Sequence, residues 1–370
     1  MEFRKGELFN GPGGFALGAQ MAKVVANGIE YSVKHKWSND YKEDTCETYR
    51  HNICPDNPET VQHGDVRELD LEQLGEIDCF IYGFPCNDFS LVGEKKGFDG
   101  TFGPLYTYGI KVLNLYKPKW FIAENVGGLQ SANDGQAFIQ ILKEMRDAGY
   151  RLTPHLYNFA DYGVPQARQR IIIIGFRDDL NMEYRVPAPT HGPGRLLPYR
   201  TASEALLDPP IPSDAFNHEF TRHTQKVIDM LNYIPPGENA WYKGIPETLQ
   251  LNVKGARMSQ IYRRLHPDTP SYTVTGSGGG GTHMYHWSEP RALTNRERAR
   301  IQTFPDDFIF TGGKESVRMQ VGMAVPPLGA KTIVESVLKT YAGVQYESVK
   351  PKWDINQLLS QTALKELVIV

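Results

Sequence analysis

The stretch Gly83-Phe84-Pro85-Cys86-Asn87-Asp88-Phe89-Ser90 follows directly on the apolar run Ile77-Asp78-Cys79-Phe80-Ile81-Tyr82. The run has the length and the β-branched and aromatic character of a buried parallel strand, and Pro85, lacking a ladder N–H, cannot continue a central strand. Cys86 is therefore expected just past the carboxyl end of a strand, on a turn stiffened by Pro85, where open α/β sheets place their chemistry. A cysteine taken alone is more often a small core hydrophobe, so its reading as a presented nucleophile needs support from elsewhere in the chain.

Two clusters give that support. Phe121-Ile122-Ala123-Glu124-Asn125-Val126 is a second apolar strand, and its buried run gives way to a carboxyl group at the end. Gln166-Ala167-Arg168-Gln169-Arg170 leads into Ile171-Ile172-Ile173-Ile174-Gly175. The two-residue period of a strand is expected to put Arg168 and Arg170 on one face at its entrance. A cysteine, a carboxylate and arginines on neighbouring strand edges make a joint signal for nucleophilic catalysis.

Outward from these strands, the segment from Leu8 to Gly175 alternates short apolar strands with amphipathic helices: a helix from Gly14 to Asn27, a strand from Tyr31 to Trp37, a helix from Asp44 to His51. That alternation predicts a doubly wound α/β unit. Past Phe176, prolines such as Pro187, Pro189, Pro193, Pro209, Pro210 and Pro212 break the regularity and predict a lobe of loops and short strands. A helix is expected from Thr294 to Thr303, capped by Thr294 with Glu297 three residues on and with its arginines on one side. Helical periodicity resumes from Pro327 to Ala342. The expected division is 1–185 for the α/β unit, 186–305 for the loop-rich lobe, 306–343 as a return to the first domain, and 344–370 as a tail. The tail's apolar end, Leu367-Val368-Ile369-Val370, is expected to dock on the core.

Phe9-Asn10-Gly11-Pro12-Gly13-Gly14 follows the first strand and opens a helix, so its backbone can approach a ligand that a Cβ would obstruct. Asp40, just beyond the second strand, can accept both hydroxyls of a ribose. Tyr41 offers an aromatic face to adenine, and Asp65 in Gly64-Asp65-Val66 can accept from an adenine amino group. Each carboxylate reads equally well as a helix cap or turn residue. The Gly-rich turn alone would also suit a dinucleotide oxidoreductase, a reading that leaves Cys86, Glu124 and Arg170 without a joint purpose.

At 370 residues and 41.7 kDa the chain can bury a large core in two lobes. No apolar run approaches eighteen residues, and Met1-Glu2-Phe3-Arg4-Lys5 has no signal-peptide character, so a soluble, cytoplasmic protein is expected. Cys46, Cys54, Cys79 and Cys86 show neither CxxC pairing nor metal-ligand spacing, which predicts free thiols and no metal. The formal charge is −3, yet residues 251–304 hold eight basic side chains against three acidic ones. That local excess is expected to follow a phosphate backbone.

Taken in order, Phe9 to Gly14, Pro85 to Ser90, Glu124-Asn125-Val126, Gln166 to Arg170, Arg291 to Pro305 and Gln320 to Pro327 resemble the motifs of the cytosine-5 DNA methyltransferases of bacterial restriction-modification systems. The resemblance implies a Rossmann-like, S-adenosylmethionine-dependent methyltransferase domain with a smaller loop- and strand-rich DNA-recognition domain. It implies catalysis by Cys86 adding to cytosine C6, Glu124 bonding N3 and the exocyclic amine, Arg170 holding O2, and Arg168 orienting the cysteine loop or a phosphate. S-adenosylmethionine is carried onto Phe9, Gly11, Pro12, Gly13, Asp40, Tyr41, Asp65, Val66, Pro85, Leu105 and Val325. DNA contacts fall to Ser90, Arg257, Arg263, Arg264, Thr273 and Gly279. The implied partners are double-stranded DNA, entered by flipping the target base, and functionally a cognate restriction endonuclease, with the protein itself a monomer. RNA is an alternative substrate on this fold, and the Pro-rich lobe favours duplex DNA. Met323 stands where the family usually has Asn, which removes a polar contact near the cofactor.

Overall fold

The computed structural model describes residues 1–84, 105–252, 258–276 and 284–360. Its contacts divide the chain into two compact units, the first formed by Met1–Asn158, Gln169–Ala188 and Ala330–Val370, the second by Phe159–Arg168 and Pro189–Gly329.

The first unit is built on an eight-stranded mixed sheet. In chain order its elements begin β1 (Glu2–Leu8), α1 (Gly14–Met21), β2 (Lys23–Ala26), β3 (Ile29–Asp40), α2 (Glu43–Ile53), β4 (Val61–His63) and β5 (Cys79–Tyr82). They continue with α3 (Tyr106–Tyr116), β6 (Trp120–Val126), α4 (Gln136–Asp147) and β7 (Tyr150–Asn158), then, past the short β8 (Gln166–Ala167) of the second unit, β9 (Gln169–Arg177). Side by side the strands run β2-β3-β1-β5-β6-β9-β7, with β4 also on β3. β1, β3, β4, β5 and β6 are mutually parallel, whereas β9 runs against both β6 and β7. The carboxyl ends of five parallel strands therefore share one edge of the sheet. Because β9 is reversed, its first residues reach that same edge, and this is how Arg170 arrives beside the end of β6.

β5 is buried at all four positions, as a strand covered on both faces must be. Phe80, Tyr82, Phe121 and Phe138 lie in one core cluster with Val112, Leu113, Ile141 and Leu142 of α3 and α4. Polar groups also enter the interior. Lys5 and Glu7 of β1 are buried, paired with each other, and both bonded to the hydroxyl of Tyr49 in α2 at 2.8 Å.

One local expectation is corrected here. The helix from Gly14 ends at Met21, and Lys23–Ala26 instead forms β2, antiparallel to β3 with Ala26 opposite Ile29. Asn27 and Gly28 make the connection with φ of 51° and 74°, the left-handed pair that a tight two-residue hairpin requires. β3 accordingly begins at Ile29, before the expected Tyr31, and runs on to Asp40.

The first unit closes with β10 (Val186–Pro187), which pairs with β12 (Ser348–Val349), the last strand of the described chain. The second unit has little regular structure: β8, α5 (Ala202–Leu207), α6 (Gln225–Asn232), β11 (Ser271–Tyr272), α7 (Asn295–Ile301) and α8 (Lys314–Met323). α9 (Pro327–Tyr341) starts in this unit and carries the chain back to the first. Thr294 caps α7 in a reciprocal capping box with Glu297, as its sequence predicts. The arginines of α7 do not form a free face, however. Arg296 is fully buried and donates to the carbonyls of Phe216, Pro305 and Phe308, while Arg298 is 1 % exposed. Burial, with Arg318 adding repulsion, pulls the Arg298 guanidinium down to about 10.

Candidate active site

At the end of β5 the chain passes through Gly83 and Phe84, the last described residues before Pro85 and Cys86. Two residues of β6 meet it there. A Cβ on Gly83 would stand 3.1 Å from Glu124 Oε2, so the backbone passes directly over that carboxylate. Next to it, the buried side chain of Asn125 donates from Nδ2 to the Phe84 carbonyl at 3.2 Å and accepts from the Val126 N–H at 2.8 Å. Sequence alone assigns Asn125 no role. Its signal was present, since an amide at the end of an apolar strand must find partners once buried.

The Glu124 carboxylate takes its ion-pair partner from β9. In the β6–β9 ladder Glu124 faces Ile172 and Val126 faces Arg170, so Glu124 and Arg170 are diagonal neighbours on one face, within reach of long side chains. Arg170 Nε lies 2.9 Å from Glu124 Oε1, with the two side chains 14 % and 15 % exposed. The pair is thus partly accessible at the sheet edge to which the chain carrying Cys86 also leads. Cys86 and Pro85, like Ser90, Arg257 and Gly279, lie outside the described residues, as does Leu367–Val370 of the tail.

Arg168 does not share that face, contrary to the expectation from strand alternation. β9 starts only at Gln169, and Arg168 belongs to the second unit. There it is fully buried and donates to the carbonyls of Val274 at 3.0 Å and Gly322 at 3.1 Å. A guanidinium so placed fixes backbone segments and is not offered to a phosphate.

A second group of sequence-selected residues gathers at the ends of β1, β3 and β4. Asp40 Oδ2 accepts from the Gly11 N–H at 3.0 Å and Oδ1 from the Lys42 N–H at 3.1 Å. Burial pushes its carboxyl above the usual carboxylate range, opposed by these backbone donors. A carboxylate has about four acceptor sites, so capacity for ribose hydroxyls remains. Phe9 and Gly11 bend the chain with φ of 56° and 53°, and among the described residues none beyond its chain neighbours lies within 4 Å of where a Gly11 Cβ would be. Pro12 and Gly13 are buried, Gly13 against Ile53 and Tyr49 of α2. Tyr41 is 58 % exposed. Asp65 is held by Arg67, which donates to Oδ1 from both its backbone N–H and Nε at 2.9 Å, and that guanidinium keeps the carboxyl below its usual range. Val66 is part of the core cluster, together with Leu105, which precedes α3. These residues fit an adenosine-bearing ligand: an open glycine turn, a carboxylate with spare acceptors and a partly exposed aromatic ring.

In the second unit, Thr273 Oγ1 donates to the Ala167 carbonyl beside the β8–β11 pairing, and Val325 follows α8 at 8 % exposure. Arg263 stacks over the Tyr272 ring at 4.6 Å and stays half-buried. Arg264 is different and corrects the phosphate-anchor expectation. It is 4 % exposed, and its guanidinium donates to the carbonyls of His286, Leu231, Ile234 and Glu289 at 2.7 to 2.9 Å. It has no fork left for a phosphate.

Comparison with known proteins agrees with this architecture. The Type II methyltransferase M.BbvI of Brevibacillus brevis is 62 % identical over 99 % of both chains. The Type II methyltransferase M.NgoFVII of Neisseria gonorrhoeae is 41 % identical over 92 % of this chain and 88 % of its own. Among solved structures, a candidate DNA modification methyltransferase encoded within an E. coli prophage superposes with a TM-score of 0.63 at 22 % identity, covering 91 % of this chain and 99 % of that one. This last likeness shows the fold alone. Residues 3–339 match the C-5 cytosine-specific DNA methylase family, and the chain belongs to that family and is a DNA (cytosine-5-)-methyltransferase.

Proposed function

We propose that the protein methylates C5 of a cytosine flipped out of a specific duplex DNA sequence, using S-adenosylmethionine and a transient covalent bond to Cys86. The observation that carries this reading is the Glu124–Arg170 ion pair, lying against Gly83 on the segment that leads to Cys86. C5 of an intact cytosine ring is a poor nucleophile, so the ring must first become an enamine. The Cys86 thiolate adds to C6, with Glu124 bonding N3 and the exocyclic amine as charge develops there and Arg170 holding O2. Asn125, by fixing the Phe84 carbonyl, holds the approach of that loop. Bound S-adenosylmethionine supplies an electrophilic sulfonium methyl. Asp40 and the Gly11 turn would orient its nucleoside, with Tyr41, Asp65 and Leu105 about it. After C5 has taken the methyl group, loss of the C5 proton and expulsion of the Cys86 sulfur restore the aromatic ring.

Target choice we assign to residues 186–305. The Type II names of the relatives support a role in restriction-modification, protecting host DNA from a cognate endonuclease. Action as a monomer in the cytoplasm fits such a role, and no described helix is long and apolar enough to cross a membrane. The test is trapping on duplex DNA carrying 5-fluorocytosine at the methylated position, which cannot lose a proton from C5. Wild-type protein should form a denaturation-resistant complex and Cys86→Ala none, while Cys86→Ala still binds DNA. Methylation by Cys86→Ala at the wild-type rate would refute the reading, and bisulfite sequencing of DNA from expressing cells would give the target.

A further inference from the structure

We propose that Asn39 is a positioning residue for the methyl donor, its side-chain amide setting the Gly64–Val66 loop that would hold the nucleoside while touching no ligand itself. The inference rests on the reading that S-adenosylmethionine lies at the ends of β1, β3 and β4. Asn39 is the penultimate residue of β3, paired in register with Leu8 of β1 on one side and Gln62 of β4 on the other. Its side chain is buried at 1 % exposure, and its Nδ2 donates to the carbonyls of Gln62 and Gly64, both at 3.0 Å. Two acceptors at that distance require an amide NH2, and no carboxylate could replace it.

The backbone at the same place completes the arrangement. The Asn39 carbonyl accepts from the Asn10 N–H at 3.1 Å, and the Asp40 carbonyl accepts from the Gly64 N–H at 3.0 Å. One dipeptide thereby fastens the Phe9–Gly11 loop on one side and the Gly64–Val66 loop on the other. The β3–β4 ladder ends with Asp40 opposite His63; beyond that pair the Asn39 amide and the Gly64 N–H tie the start of the second loop to β3, and Val66 anchors its far side in the core. Removing the amide takes a donor from two carbonyls next to the residues assigned to the nucleoside.

The test compares full-length Asn39→Ala, Asn39→Asp and Asp40→Ala by calorimetric titration with S-adenosylmethionine and by steady-state kinetics. Asn39→Ala should weaken cofactor binding and raise its KM by about ten- to a hundredfold, as the loss of two buried hydrogen bonds implies. At saturating cofactor, kcat and the KM for DNA should stay at wild-type values. Asn39→Asp keeps the shape and loses the donors, so it should bind at least as poorly as Asn39→Ala. Wild-type affinity in Asn39→Asp would overturn the proposal, and so would a fall in kcat without a change in cofactor KM, the mark of a merely structural residue. If Asn39→Ala does not fold, Asn39→Ser, which keeps one donor, should show a loss of about three- to tenfold, and none would refute the inference. Weakened binding in Asp40→Ala with Asn39→Ala unaffected removes the inference alone. Unaffected binding in both removes the cofactor reading and the inference with it.

Discussion

Arg170 in the first unit and Arg264 in the second are both expected from sequence to meet nucleic acid, and their surroundings differ sharply. Arg170 stands at the edge of a regular sheet, 14 % exposed, bonded to the carboxylate of Glu124. Arg264 is enclosed by four backbone carbonyls of a unit with few strands and short helices. Arg168 and Arg296 repeat the second pattern. In the first unit the ladders satisfy the backbone, and charged side chains at strand ends remain available for chemistry. In the second, carbonyls without ladder partners must still be bonded when buried, and the guanidinium fork, with its five donors, meets that need. A count of basic residues therefore overstates the phosphate-binding surface of a loop-rich unit.

The comparison breaks first, and by the largest margin, if the edge pair proves inert. Glu124→Gln should lower the single-turnover methylation rate by about 10²- to 10⁴-fold, the range for a positioned acid–base group, with DNA binding retained. A wild-type rate would place the chemistry elsewhere. Arg264→Met should next reveal a structural arginine, lowering unfolding free energy in urea by about 2 to 4 kcal/mol because buried carbonyls are orphaned. The salt dependence of DNA binding in the surviving folded protein should not change. A reduced salt slope at wild-type stability would return Arg264 to the phosphate contacts.

Asp40→Ala sharpens the first unit's side. Loss of a charge-assisted hydrogen bond should weaken S-adenosylmethionine binding by roughly ten- to a hundredfold, and unchanged affinity by calorimetry would put the ribose elsewhere. The smallest effect belongs to Arg263, half-buried over Tyr272 rather than caged by carbonyls. Arg263→Ala should lower affinity for all duplexes alike and reduce the slope of log K against log salt by about one unit. An unaltered slope would leave Arg263 as a stacking partner of Tyr272 only.

Where sequence and structure agree, short-range patterns decide the outcome. The apolar runs at β5 and β6 and the Thr294–Glu297 cap are set by residues a few positions apart, and they appear as expected. Asn27-Gly28 carries an equally local signal for a hairpin, and there the pair overrides the helical pattern that precedes it. The fates of Arg168, Arg264 and Arg296 were not legible at all, because which carbonyls go unpaired is settled by contacts distant in sequence. The same holds for Asn39 and Asn125: their residue type shows that partners must exist, and only the fold shows which loops those partners belong to.

The ladder between β10 and β12 bears on how such a protein can change over time. Val186 pairs with Val349 and Pro187 with Ser348, while Tyr184 bonds Ser336 and Tyr346 bonds the Arg185 carbonyl. The chain leaving for Pro189–Gly329 is thus fastened to the chain that comes back. To the first unit, everything between is one closed loop, and doubling a loop's length adds only about 0.6 kcal/mol of closure entropy. Changes of length in that interval therefore cost the first unit little closure entropy, provided they spare the places where it holds Phe159–Arg168: β11 on β8, and the Val274 and Gly322 carbonyls on Arg168.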